Sequence, residues 1–217
     1  MRKRLQWSGS RHLVVGVTGG IATGKSTVSA MFSELGAILI DFDVLAREVV
    51  APGEPALERI QEVFGSEFLQ PDGALDRKRL STHVFQDPRR RELLETITHP
   101  PIFERFFSEV EAITARRPDA IVQAAVPLLV ELRLQPIFHR VVLVYAGYPQ
   151  QLERLLQREG IDRRNAEKIL AAQLPIDEKR READFVIDNT QSLAETREQV
   201  SAVWRQLCGL QKSMAKW

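Results

Sequence analysis

The chain has 217 residues, of which 44% are hydrophobic and 27% charged, and its 30 basic and 29 acidic side chains leave a net charge of +1. This composition is typical of a globular protein and excludes a disordered chain or a fibrous repeat. The balanced charge lacks the basic excess of a general nucleic-acid binder. At roughly 150 residues per domain, the length fits one domain with a large insertion as well as two small domains.

The distribution of cysteine and apolar residues bears on where the protein works. Cys208 is the single cysteine, so no disulfide can form within the chain, which favours a reducing compartment. The longest apolar runs, residues 124–130 and 141–146, are too short to span a bilayer. The basic N-terminal segment leads into only a short apolar run, whereas a secretory signal needs a longer one. We expect a cytoplasmic protein that binds neither membranes nor nucleic acid, and we take it to be a monomer.

Short β-branched runs alternate with longer stretches of helical periodicity, the pattern of a parallel sheet covered by helices. The first run, residues 13–18, is apolar without alternation, as expected for a strand buried on both faces. A helix is predicted at residues 26–35, and Gly36 is placed to end it. The other strands are predicted at residues 37–41, 120–125, 141–145 and 185–187. The sequence therefore predicts a three-layer α/β fold with a five-stranded parallel sheet.

The long segment between the second and third strands, residues 44–118, has the periodicity of several helices. The first is predicted at residues 44–50. Asp87 and Pro88 suit the N-cap and first position of a later helix. Because a residue before proline favours extended backbone, His99 is predicted to end that helix and Pro100 to start the next. The segment is either a helical cap or a substrate-holding subdomain.

A second insertion, residues 150–181, is rich in arginine. Arg154 and Arg158 are four residues apart and share one face of a predicted helix, opposite a stripe of leucines. Gly160 can end this helix and Asp162 can cap the next. The apolar face of that next helix is formed by Ala166, Ile169 and Leu170. The pair is either a lid whose cations meet a transferring phosphate or a solvated charged surface.

A phosphate-binding loop is the most specific motif in the chain. Residues 19–26 match G-x-x-x-x-G-K-[ST] and lie between a predicted buried strand and an amphipathic helix, where this motif functions. Backbone amides of such a loop converge on phosphate oxygens, and the helix N-terminus adds positive potential. Lys25 can reach the outer phosphates, and the Ser26 hydroxyl can bind Mg²⁺. The motif predicts nucleotide binding.

Asp41 and Asp43 lie at the carboxyl end of the second strand, at the edge of a parallel sheet where ligands bind. Side chains alternate along an extended segment, so we expect both carboxylates on one side and Phe42 on the other. Asp43 is predicted to accept a proton from an attacking hydroxyl, and Asp41 to hold metal-bound water near Ser26. The alternative is that Asp43 only caps the next helix.

Other motifs, present or absent, bear on which class of nucleotide-binding protein this chain belongs to. The D-x-x-G and N-K-x-D strings of GTPases do not occur, and the strand predicted at residues 141–145 does not end in an acid. His99 alone is more typical of a structural than of a catalytic residue. His12, His83 and His139 show no metal-ligand spacing with each other or with Cys208.

The order of these motifs resembles that of the dephospho-CoA kinase family. The resemblance is carried by Thr18-Gly19-Gly20-Ile21…Gly24-Lys25-Ser26-Thr27, Asp41-Phe42-Asp43, Ala46-Arg47, Pro52-Gly53, His99-Pro100, Pro127-Leu128-Leu129…Glu131, Gln173 and Ala183-Asp184…Ile187-Asp188-Asn189. It implies a P-loop kinase that uses ATP and Mg²⁺ to phosphorylate the ribose 3′-hydroxyl of dephospho-CoA, the last step of coenzyme A synthesis. It also implies a nucleotide core (12–43, 119–149 and 182–207), a helical substrate-binding insertion (44–118) and an arginine-rich lid (150–181).

The resemblance also implies roles for individual residues. ATP would be held by Gly19, Gly20, Ile21, Ala22, Thr23, Gly24, Lys25, Ser26 and Thr27. Catalysis would involve Asp43, Lys25, Arg154 and Arg158, and Mg²⁺ would be held by Ser26 and Asp41. Dephospho-CoA would contact Thr18, Asp41, Asp43, Arg47 and His99. The sequence departs from the family at Phe42, usually Ala, and at Ala125, often Asp.

Two alternatives remain open on the residues alone. One is a P-loop kinase for a nucleoside or nucleoside monophosphate, because the phosphate loop does not discriminate between acceptors. The other is a nucleotide-dependent regulatory protein without transfer activity.

Overall fold

A single parallel sheet forms the centre of the computed structural model, which describes residues 7, 11–85 and 87–214. Its strands are β1 (Leu13–Gly19), β2 (Ile38–Asp41), β3 (Ile121–Ala125), β4 (Arg140–Tyr145) and β5 (Phe185–Asp188). They are arranged in the order β2-β3-β1-β4-β5, and every pairing is parallel. The predicted five-stranded α/β fold is confirmed, with strand bounds that differ from the predicted ones by a residue or so.

Helices occupy the connections between these strands and the segment after β5. They are α1 (Lys25–Glu34), α2 (Phe42–Glu48), α3 (Pro55–Phe64), α4 (Arg77–Phe85), α5 (Pro88–Arg116), α6 (Tyr148–Glu159), α7 (Arg163–Ala171), α8 (Ile176–Arg180) and α9 (Leu193–Met214). The chain divides into two compact units. We call residues 1–41 and 112–217 the sheet unit and residues 42–111 the helical unit.

The core of the sheet unit explains why β1 and β3 have no polar alternation. Every residue of both strands is buried, as expected for central strands of a sheet covered on both faces. On one face, α1 and α9 bring Val28, Phe32 and Val200 into the core. Gly36 has φ 113 just after the end of α1, the position that favours glycine.

The helical unit has its own aromatic core. Phe42 is 8% exposed, and its ring centroid lies 5.9 Å from that of Phe103 and 5.1 Å from that of Phe106. Leu57 and Ile60 of α3 are also buried. Phe42, where the family usually has alanine, is therefore a packing residue of this unit.

Two predictions within the helical unit are wrong. Helix α2 begins at Phe42 rather than at residue 44, because burial of Phe42 starts the helix directly at the end of β2. Asp43 lies in the first helical turn, so it is not the N-cap, and the extended alternation expected for residues 41–43 does not exist.

The second error concerns α5, which runs unbroken through Pro100 and Pro101 for 29 residues. A proline has a φ that suits a helix, but inside a helix it removes one hydrogen bond and its ring clashes with the carbonyl four residues earlier. Ile102, Phe106 and Val110 are buried on the C-terminal side of the prolines, and this packing stabilises a continuous helix. Other predicted helix boundaries are confirmed: the amide of Arg89 donates to Asp87 at 2.9 Å at the start of α5, and Gly160 ends α6 with φ 62.

Within residues 7, 11–85 and 87–214, no helix has the length and apolarity needed to cross a membrane.

Candidate active site

The phosphate-loop motif forms a tight turn between β1 and α1. Thr23 is buried, and its hydroxyl donates to the carbonyl of Gly20 at 2.9 Å, which folds the loop back on itself. Gly24 has φ 90, and Ala22 has φ 59. The left-handed region costs a residue with a side chain about 1–2 kcal/mol, so the shape at Ala22 depends on contacts from outside the loop.

Polar side chains from distant segments lie against the loop backbone. A Cβ on Gly20 would overlap Nε2 of Gln151, and one on Gly24 would overlap Nδ2 of Asn189. The Asn189 amide donates to the carbonyl of Thr23 at 2.8 Å, while its oxygen accepts from the hydroxyl of Thr196 at 2.9 Å. The two glycines are therefore required because the loop is covered closely on these sides.

The predicted ATP-binding side chains occupy the start of α1. Lys25 is half-buried at the first helical position, and Ser26 and Thr27 are exposed directly after it. The free amides of a helix N-terminus favour an anion there. The arrangement suits a chain of phosphates with Lys25 beside it.

Asp41 lies on the same edge of the sheet as the loop. In the strand register, Asp41 is beside Ala125, and Ala125 is beside Val17 in the strand that leads into the loop. Asp41 is half-buried at the end of β2. The carboxylate of Asp41 and the hydroxyl of Ser26 are oxygen ligands of the kind that Mg²⁺ prefers, so the donor set fits this metal.

Asp43, Arg47 and His99 belong to the helical unit. Asp43 and Arg47 are exposed on α2. The guanidinium of Arg77 donates to the carbonyl of Ala46 at 3.1 Å. Burial and the positive charge of Arg47 lower the pKa of Arg77, so the structure brings two cations together here. His99 is half-buried, with its ring edge-on to Phe103 at 6.5 Å.

The same unit contains a groove of about 870 Å³. Its apolar lining includes Val49, Leu93 and Ile97, and its charged lining includes Arg59 and Arg105.

Thr18, a predicted substrate contact, belongs to the sheet unit. It is buried in β1, where its hydroxyl donates to the carbonyl of Pro127 at 3.4 Å.

The two predicted lid arginines have different surroundings. Arg154 donates to the carbonyls of Asn189 at 2.7 Å and Ala22 at 3.5 Å, so it lies against the phosphate loop. The side chain of Arg158 is 61% exposed and pairs with Glu159 at 2.8 Å. Arg154 therefore contacts the phosphate loop, whereas Arg158 lies on the exposed surface of α6.

Helices α6 and α7 pack together as the sequence predicts. Leu152, Leu155, Ala166 and Leu170 form a buried cluster, and Asp162 caps α7 by accepting from the amide of Asn165 at 2.9 Å. Ile169 was predicted in this apolar face, but it is 40% exposed, because a nine-residue helix against one partner buries only a narrow stripe.

Sequence reasoning gave no role to several residues that contact the loop. Gln151, Gln173 and Asn189 reach it from segments far along the chain. Gln173 and Asn189 belong to the family resemblance, which marks them as residues of interest without indicating what they contact.

Comparisons with known proteins agree with this architecture. The family model for dephospho-CoA kinase matches residues 13–195. The chain is 47% identical over 195 residues to a dephospho-CoA kinase of Geobacter metallireducens, covering 89% of this chain and 96% of the relative. It is 48% identical over 177 residues to the one of Anaeromyxobacter dehalogenans, covering 81% and 83%.

Solved structures give the same result. A Thermus thermophilus protein is 33% identical with a TM-score of 0.77, covering 90% of this chain and 97% of that one. The dephospho-CoA kinase of Campylobacter jejuni is 28% identical with a TM-score of 0.61, covering 91% and 98%. These matches decide against a nucleoside kinase and against a regulatory protein without transfer activity. The chain therefore belongs to the dephospho-CoA kinase family, which catalyses the ATP-dependent phosphorylation of dephospho-CoA in the last step of coenzyme A synthesis.

Proposed function

We propose that this chain phosphorylates the ribose 3′-hydroxyl of dephospho-CoA with ATP held by residues 19–27. The observation that carries the proposal is the phosphate loop, at the carboxyl edge of the sheet and continuous with α1, in a chain of this family. Loop amides and the start of α1 surround the phosphates, and Lys25 neutralises charge on the outer ones. Arg154, already bonded to the loop carbonyl of Ala22, adds positive charge on the same side.

Magnesium is the metal proposed for this site. Ser26 and Asp41 would hold it, because both supply oxygen ligands at the carboxyl edge of the sheet. When bound, Mg²⁺ offsets the negative charge of the phosphates. The aspartate at position 125 of many family members is absent here, so Asp41 carries the acidic part of this ligand set.

Asp43 is proposed as the base. The ribose 3′-oxygen attacks the γ-phosphorus of ATP, the bond from that phosphorus to the β,γ-bridging oxygen breaks, and ADP leaves. The proton of the hydroxyl passes to the carboxylate of Asp43. Transfer of this kind depends mainly on positioning and on stabilising charge, so Arg154 and Arg158 are proposed to act on the charge of the transferring group.

We propose further that residues 44–118 bind dephospho-CoA, that residues 150–181 act as the lid, and that residues 12–43, 119–149 and 182–207 form the nucleotide core. Thr18, Asp41, Asp43, Arg47 and His99 are the proposed substrate contacts. Arg47, with Arg77 beside it, suits the pyrophosphate of dephospho-CoA, because guanidinium groups bind phosphate oxygens strongly. The single cysteine supports a cytoplasmic location.

Asparagine substitutions at Asp41 and Asp43 test this division of roles. Asp43→Asn keeps the shape of the side chain but cannot take the proton, so kcat should fall by about 10²-fold or more while the KM for ATP changes little. Asp41→Asn should instead raise the Mg²⁺ concentration needed for half-maximal activity. The variants are titrated with dephospho-CoA at saturating ATP and then with Mg²⁺. Unchanged kcat in Asp43→Asn, or exchanged phenotypes, would contradict the assignment.

A further inference from the structure

Two segments of the lid bond to the same residue of the phosphate loop. The backbone N–H of Ile21 donates to Oε1 of Gln173, two residues beyond the end of α7, at 3.0 Å. The carbonyl of Ile21 accepts from Nε2 of Gln151 in α6 at 2.7 Å. Gln151 is only 6% exposed. The polar groups of the Ile21 backbone are thus bonded to side chains from two separate segments of the lid.

Apolar packing acts at the same place. The side chains of Ile21 and Ala22 lie against the buried cluster of α6 and α7 that includes Leu155 and Ala166. Ala22 has the strained positive φ of the loop, and a strained backbone persists only where its surroundings fix it. The lid supplies those surroundings, since Arg154 also bonds to the carbonyl of Ala22.

The segment that carries Gln173 is itself held by a hydrogen bond to Glu131. The amide of the next residue, Leu174, donates to Oε1 of Glu131 at 3.3 Å. The same carboxylate oxygen lies 2.6 Å from Nζ of Lys179 in α8, and the Lys179 side chain is fully buried. Breaking a buried ion pair by removing one partner is strongly destabilising, so Glu131 holds the segment that carries Gln173 in one position.

We propose that Gln173 is a positioning residue of the ATP site. Together with Gln151 it keeps the backbone at Ile21 in the shape that receives phosphates, and Glu131 keeps Gln173 in place. The inference rests on the proposed role of the loop in binding ATP. In this role the lid shapes the phosphate loop through uncharged amide groups, independently of the charge that its arginines supply.

The test is the affinity for the magnesium complex of a nonhydrolysable ATP analogue, measured by calorimetry with the full chain. Gln173→Met keeps the length of the side chain but removes the acceptor, and one lost hydrogen bond to a half-buried amide predicts about tenfold weaker binding. The KM for dephospho-CoA should stay within about twofold. Gln151→Met should behave similarly, and the double variant should lose less than the product of the single effects, because both side chains act on one residue. Gln157→Met, at an exposed glutamine of α6, is the matched control.

A second pair of variants separates positioning from stability. Glu131→Leu alone leaves Lys179 buried without its carboxylate, so it should unfold at lower temperature. Adding Lys179→Met replaces the ion pair with apolar groups and should restore most of the stability. The amide of Leu174 still lacks its acceptor in this double variant. The affinity of the double variant for the nucleotide analogue should therefore remain several-fold weaker than that of the wild type.

Several results would overturn the inference. Wild-type nucleotide affinity in Gln173→Met would show that the bond does not shape the site, and tighter affinity would show that Gln173 competes with phosphate for the N–H of Ile21. Wild-type affinity in the stable Glu131→Leu/Lys179→Met variant would show that Glu131 does not position Gln173. Unimpaired transfer by Lys25→Ala would instead remove the loop assignment on which the inference rests.

Discussion

Lys25 is the residue on which transfer should depend most. It lies at the first position of α1, directly after Gly24, at the helix end that favours anions. Lys25→Ala removes a charge-assisted contact to the phosphates, so the rate of transfer should fall by about 10²-fold or more. The unfolding temperature should change little, because the side chain is only half-buried.

Steady-state kinetics and thermal unfolding of Lys25→Ala check this prediction. Lys212→Ala, at an exposed lysine of α9, is the control and should match the wild type in both measurements. Near-wild-type turnover by Lys25→Ala would exclude the loop from the mechanism.

Glu109 on α5 is a residue whose charge opposes folding. Burial and the nearby carboxylate of Glu48 raise its pKa, against a smaller opposite effect of Arg105. The folded chain therefore binds this proton more tightly than the unfolded chain does, and stability decreases as pH rises through the pKa of Glu109. Glu109→Gln should raise the unfolding temperature at pH 7 and give no gain at pH values below the ordinary carboxyl range.

Thermal unfolding as a function of pH tests the prediction for Glu109. Glu58→Gln, at an exposed glutamate of α3, is the matched control. A stabilisation by Glu109→Gln that is equal at acidic and neutral pH would show that charge is not its cause.

At the scale of elements, two glycines differ in their surroundings: Gly16 in β1 is closely packed, whereas Gly209 in α9 is not. A Cβ at Gly16 would lie 2.5 Å from Leu129 Cδ1 and 2.8 Å from Phe138 Cδ2, both in buried side chains. At Gly209 in α9, nothing lies within 4 Å of an added Cβ. Gly16→Ala should therefore cost about 1–3 kcal/mol of unfolding free energy through overpacking. Gly209→Ala should add about 0.5–1 kcal/mol through helix propensity.

Chemical denaturation of the two glycine variants measures this difference. The comparison uses one substitution chemistry at two sites, so it isolates the effect of the neighbouring side chains. Equal free energies of unfolding for both variants would mean that β1 moves away from Leu129 at no cost, contrary to the close packing around Gly16.

The elements that sequence reasoning predicted well are those specified locally. The phosphate loop lies between β1 and α1, and Gly160 and Asp162 end and begin the lid helices, because turn and cap chemistry depends on residues a few positions apart. The start of α2 was predicted wrongly, since it depends on Phe42 packing against Phe103 and Phe106. These rings are distant in the sequence.

The contacts of the candidate site show the same limit. Gln173 is 152 residues from Ile21, and Gln151 is 130 residues from it. Neither hydrogen bond follows from any local pattern, because the fold alone brings the pairs together. The continuous α5 was also missed, because the local bias of His99 before Pro100 is weaker than the burial of residues on the C-terminal side of the prolines.

At the scale of the whole molecule, the lid helices belong to the same compact unit as the phosphate loop, whereas residues 42–111 form a unit of their own. The apolar cluster of α6 and α7 includes the side chains of Ile21 and Ala22. The phosphate loop and the helices α6 and α7 are thus parts of one packed structure. The helical unit has its own aromatic core and groove.

Transfer of the γ-phosphate of ATP to dephospho-CoA is the activity expected of this chain. The most direct measurement is ADP release over a panel of acceptors, namely dephospho-CoA, adenosine, AMP, shikimate and a control without acceptor. We expect rapid release with dephospho-CoA alone, and a product that carries the new phosphate on the ribose 3′-oxygen. Equal release across the panel, or a preference for adenosine, AMP or shikimate, would contradict it.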